Sequence, residues 1–121
     1  MKIYNATIKK VAVGLYGLNK RLSVKLDFSS SENLWSHTFD LTDWTAVSQL
    51  TILMNFVEAE DLKELEGKAI RVVVYNSMFR GFGHPENDKF ITVSYFAGRY
   101  PMSLSEKEFG EMLNKYLDYW H

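Results

Sequence analysis

Arg21-Leu22-Ser23-Val24-Lys25-Leu26-Asp27-Phe28 alternates polar and apolar side chains without a break. A period of two places Leu22, Val24, Leu26 and Phe28 on one face of a β-strand and leaves the other face wet. Upstream, Ile3 to Val13 is β-rich but loses phase, since Ile8 and Val11 fall out of alternation across Lys9-Lys10. One extra residue swaps the inward face, so the slip predicts a β-bulge. Gly14 to Asn19 supplies the turn between these two strands. Downstream, Ser29 to Asn33 turns the chain into a third strand with Trp35, His37, Phe39 and Leu41 on one face.

A helix is expected next, capped by Asp40 or Thr42 with Asp43 in its first turn. Trp44, Val47, Leu50, Met54 and Val57 recur at three and four, and Ile52, Leu53 and Phe56 widen the stripe. Glu58 to Glu66 is acidic and helix-prone, and Gly67 ends it. Ala69 to Tyr75 is apolar on both faces, which predicts a central strand. Met78 to Asp88 reads as a loop with room for a short strand, and Lys89 to Phe96 as the fifth strand. At the C-terminal end Ser105 and Glu108 have capping-box spacing, and Leu104 and Phe109 have that of a hydrophobic staple. Phe109, Met112, Leu113, Tyr116 and Trp120 share one helical face. The reading is α+β: a single domain over residues 1–121, with a five-stranded antiparallel sheet in the order βββαββα and a C-terminal helix. That order is also the order of an OB-like barrel. The broad apolar stripe of 42–57 favours an open sheet with both helices on one face.

The chain has 121 residues, 46% hydrophobic and 15% aromatic, a composition that excludes disorder. Without cysteine there is no disulfide, thiolate metal site or thiol nucleophile. No apolar run reaches membrane-spanning length and the first residues do not read as a signal peptide, so no membrane partner is expected. The net charge of −1 hides a separation. Residues 1–28 carry six Lys/Arg against Asp27, and residues 29–66 carry eight acids against Lys63. Helices covering one side of the sheet would leave a basic sheet side able to steer a polyanion or an acidic protein.

No catalytic constellation is present, and no enzyme, cofactor or metal site is expected. His37 lies on an apolar strand face, and His121 is the last residue. His84-Pro85-Glu86-Asn87-Asp88 is the densest polar cluster, yet its spacing matches no metal motif and suits a turn. Candidate binding residues are Lys9, Lys10, Arg21, Lys25, Arg71 and Arg80 for charge, with Tyr75 and Phe79 for stacking.

Ile3 to Ile8 (Ile-Tyr-Asn-Ala-Thr-Ile), Leu65 to Val72 (Leu-Glu-Gly-Lys-Ala-Ile-Arg-Val), Phe82-Gly83-His84 and Glu86 to Ile91 together resemble a family of small phage and prophage proteins of Gram-positive bacteria. The resemblance covers residues 1–91. It departs at Ser29 to Asn33, where the family has a longer segment rich in glycine and aromatics. It brings no catalytic residues with it. It implies an accessory protein in the cytoplasm of a bacterial host, acting by stoichiometric binding to a host or phage protein. An inhibitor of a defence system, such as an anti-CRISPR protein acting on a nuclease complex, is the leading expectation. A single-stranded nucleic-acid binder of phage replication is the alternative.

Overall fold

The alternating stretch forms β2 (Arg21–Ser29), flanked by β1 (Lys2–Tyr16) and β3 (Leu34–Asp40), both antiparallel to it. Beyond β1 follow β4 (Ala69–Tyr75), β5 (Met78–Gly83) and β6 (Phe90–Thr92), giving the order β3-β2-β1-β4-β5-β6 with every pairing antiparallel. Helix α1 (Trp44–Phe56) follows β3, and α2 (Glu106–Leu117) closes the chain. This computed structural model describes residues 1–93, 99–100 and 102–117. The expected strand residues Tyr95 and Phe96, together with Trp120 and His121, lie outside them.

Four strand spacings separate β3 from β5, about 19 Å in a flat sheet. Yet the His37 ring on β3 lies 5.4 Å from Phe79 and 6.1 Å from Phe82 on β5. The sheet is therefore curled into a half-barrel. Its concave side holds one core, in which Ile8, Val24, Leu26, Phe28, Phe39, Ile70, Val72 and Phe82 meet Leu50, Leu53 and Phe56 of α1. Its convex side holds a second, in which Val73 and Phe90 meet Phe109, Met112 and Leu113 of α2.

Two register shifts make this possible. One falls between Ile8 and Lys10, where the phase slip predicts a bulge. The other falls between Val73 and Val74 and makes Arg80 the extra residue, so Phe79 and Phe82 both point into the concave core. On the convex side β5 must lie flat under α2. A Cβ on Gly81 would stand 2.2 Å from the Ile91 carbonyl oxygen and 2.8 Å from the Phe109 ring.

The architecture differs from the expectation in four respects. Among the described residues the sheet has six strands rather than five, because Met78 to Gly83 is a full strand rather than loop. The helices lie on opposite faces, since β4 and β6 bear apolar side chains on both. The α1 cap is Asp43, which accepts from the Thr45 amide at 3.0 Å, while Asp40 organises the preceding turn through Thr42. Finally, α1 stops at Phe56: Glu58 is left-handed (φ 55°), and only Leu62–Leu65 turns again, as a 3₁₀ helix before Gly67. The capping box is formed as expected, with Ser105 Oγ accepting from the Glu108 amide at 3.1 Å and Glu108 Oε1 accepting from the Ser105 amide at 2.9 Å.

Candidate functional site

The two halves of β1 have different neighbours. Lys2 to Thr7 pair with β4, but β4 begins at Ala69, and from Lys10 to Tyr16 the strand is paired only with β2. Val11 is an exception, donating its amide to Glu66 Oε1 at 3.0 Å. The β1–β2 hairpin therefore projects past β4. Its inward positions Val13, Leu15 and Leu22 are exposed, Leu15 by 63%, and Leu18 at the turn is fully exposed. Leu41 donates its amide to the Leu22 carbonyl at 2.9 Å, which brings the start of α1 to the same end. There Trp44 is 81% exposed. Five of the nine large apolar side chains exposed among the described residues thus belong to one end of the molecule. They offer apolar surface on the order of 500 Å², the size of the largest patches on ordinary monomers.

The eight candidate binding residues separate into three places. Lys10, Arg21 and Lys25 share the outer face of β1 and β2, with Lys9 at the bulge beside them. Arg21 pairs with Asp40 at 3.4 Å. Asp40 is held below the usual carboxylate range, first by hydrogen bonds from Thr42 and then by Arg21. The Lys25 amine lies 6.0 Å from the Tyr16 ring. Among the described residues no helix covers this face, and Asp27 and Asp40 stand among its bases. Because α1 and α2 occupy opposite sides of the sheet, no single basic side exists. Much of the negative charge is spent locally: Asp61, Glu64 and Glu66 each accept from a backbone amide.

Arg71 is a buttress. Its Nε donates to the His84 carbonyl at 2.7 Å, its guanidinium also donates to the Asn87 carbonyl, and it stacks 4.7 Å over Phe90. The loop it holds folds around His84, whose Nδ1 accepts from the amides of Glu86 and Asn87 at 3.0 and 2.9 Å. Asp88 then receives the Glu106 amide at the start of α2. Turn chemistry thus accounts for the polar cluster. Among the described residues no group of three His, Asp or Glu side chains is placed to hold a metal ion.

The last candidates lie on β4 and β5. Phe79 packs in the concave core, 5.2 Å from Phe28, Tyr75 packs half-buried against the convex core, and Arg80 donates to the Tyr75 carbonyl at 3.3 Å. His37 packs edge-on against Phe39 at 4.6 Å, and burial holds its pKa down to about 4, so the ring is neutral near pH 7. Sequence reasoning missed the apolar end, because it placed Trp44 on the buried stripe of α1. The buried residues there are Gln49, Leu50, Leu53 and Phe56, with Gln49 Nε2 donating to the Thr92 carbonyl at 2.6 Å. The available signal was length, for a strand of 15 residues cannot be covered by a partner of seven.

Comparison with family models, with curated proteins and with solved structures finds no match for this chain. Among the described residues no helix is long and apolar enough to cross a membrane.

Proposed function

We propose that this chain acts without catalysis, by binding a partner protein through the apolar end formed by the β1–β2 hairpin and the start of α1. The observation that supports this reading is the gathering of Val13, Leu15, Leu18, Leu22 and Trp44 at one projecting end. An exposed tryptophan within an aliphatic patch has the chemistry of an interface anchor, and Trp is among the residues whose truncation costs most at interfaces. Arg21 at its edge is paired with Asp40 and Asp43 adjoins Trp44, so the complementary surface is an apolar pocket of mixed rim charge. In the phage context that the sequence resemblance implies, the partner is a host nuclease complex of the kind anti-CRISPR proteins inhibit. The test is titration of the chain into purified CRISPR effector nucleases, followed by light scattering after size exclusion and by target cleavage. A stoichiometric complex with lost cleavage is expected, and Trp44→Ala weakens it more than tenfold. Neither complex nor lost cleavage with any effector overturns the assignment to these nucleases.

A second reading rests on the uncovered outer face of β1 and β2 in an OB-like half-barrel. Lys10, Arg21 and Lys25 would meet the phosphates of a single strand there, with Tyr16 beneath a base. Three such contacts give a slope of about −2 in log affinity against log salt. A flat salt response removes this reading.

A further inference from the structure

The end of the half-barrel opposite the projecting hairpin opens into a cavity of about 350 Å³, within the size range of small-ligand sites. Tyr4 of β1, Trp35 of β3 and Tyr75 of β4 line it, with Lys2, Asn33 and Asn76 also in its wall. The aromatic wall is fixed in place: Trp35 stacks on the buried Phe28 ring at 5.9 Å and 22°, and Tyr4 meets Trp35 at 5.6 Å. A ligand stacking on Trp35 would therefore lose little to ordering the site. The β4–β5 turn completes the wall with Asn76 and Ser77, both left-handed (φ 52° and 63°). Glycine would hold that turn at less conformational cost.

Among the described residues no carboxylate lines this cavity, and its one charged side chain is the exposed Lys2, next to Met1. A second cavity of about 340 Å³ beside His84 has two carboxylates, Glu58 and Glu86, against Lys68 in its wall, a balance less favourable to an anion. Flat aromatic surface serves a base, amides that both donate and accept serve a base edge, and a cation serves a phosphate. We propose that the cavity binds a nucleotide, with the base on the Tyr4–Trp35 pair, the base edge read by Asn33 and Asn76, and the phosphate at Lys2. This assignment is independent of the partner-protein reading and uses the opposite end of the molecule. The nucleotide is either free or one unpaired residue of a strand, since both present the same chemistry.

Amide NMR spectra of the full chain, titrated with AMP, with adenosine and with an oligo-deoxyadenylate of about eight nucleotides, test it. AMP is expected to shift the Trp35 indole N–H and the Asn33 and Asn76 side-chain amides saturably, and adenosine to bind about fivefold more weakly for want of the charge-assisted phosphate contact. Lys2→Ala, at an exposed position, is expected to erase that fivefold difference and leave the rest of the spectrum in place. Tyr4→Ala is expected to weaken AMP about tenfold through lost stacking. Tighter binding of the oligonucleotide at the same three residues assigns the strand as source, and AMP as tight as the oligonucleotide assigns the free nucleotide. Absence of a saturable shift at Trp35, or shifts confined to Tyr16 and Lys25, overturns the proposal. So does saturation by an acetylated tryptophan amide where AMP is silent, since that outcome makes the cavity a peptide pocket.

Discussion

The first and second halves of β1 carry similar apolar side chains and meet opposite fates. Ala6 and Ile8 are buried between β2 and β4 and beneath the concave core, whereas Val13 and Leu15 stand in solvent. Alternation in a sequence therefore identifies which face of a strand turns inward, but not whether anything waits there. Burial is decided by partners far along the chain, here the point at which β4 begins. A protein that leaves one half of such a strand uncovered exposes a surface suited to a partner, at the risk of aggregation.

If that contrast is right, the packed half should be intolerant of added volume. Gly81→Ala places a methyl 2.2 Å from the Ile91 carbonyl oxygen, which is backbone and cannot rotate away. We expect a loss of about 3 kcal/mol or more in urea denaturation, with α2 separating from the sheet first. A loss below about 1 kcal/mol would show β5 and β6 to be loosely held.

The packed half should also be sensitive to acid. His37 has a folded-state pKa of about 4, below its ordinary value of 6.5, so the unfolded chain binds its proton more readily. Stability is fully present above pH 6.5 and falls as pH drops from there to about 4, by at most about 3 kcal/mol. Asp40 and Glu108, both lowered by hydrogen bonds, lose their contributions only at more acidic pH. His37→Leu should flatten the melting temperature between pH 7 and 5, and an unchanged slope would place the acid-sensitive group elsewhere. A third measurement probes the buried side of the bulge: Ile8→Thr should cost about 2 kcal/mol, from lost burial and a hydroxyl in an apolar core.

The fold was largely legible where local chemistry decides it. The bulge at Lys9, the wet face of Lys25 and Asp27, the central position of Ala69–Tyr75 and the Ser105–Glu108 capping box all follow from spacing alone. The sixth strand was not legible, because Gly81 and Gly83 look like loop residues until Phe109 and Phe90 are seen to need the room. Nor was the side each helix takes, since a strand apolar on both faces accepts a helix on either. The candidate binding residues were chosen by type and then scattered, as Arg71 did in turning to the His84 loop.

Helix α2 offers the opposite of Gly81. Among the described residues a Cβ on Gly110 would meet only Met1 Cε at 3.9 Å, so their packing does not require glycine. Gly110→Ala should raise stability by about 1 kcal/mol, read as a higher denaturation midpoint at unchanged slope. No gain would mean that the helix is held so firmly by Phe109, Met112 and Leu113 that backbone entropy no longer matters.

The smallest expected effect discriminates most between the two halves of β1. Leu15→Thr places a β-branched side chain in a strand and removes apolar surface already 63% exposed. Stability should change by less than about 0.5 kcal/mol, against the about 2 kcal/mol expected for Ile8→Thr in the same strand. If Leu15 serves only the fold, that small change is its whole effect. If the projecting end is an interface, the variant folds and melts like the parent while its affinity for the partner drops. A loss of stability matching that of Ile8→Thr would show the projecting half to be packed in solution, and the surface proposed for binding would not be free.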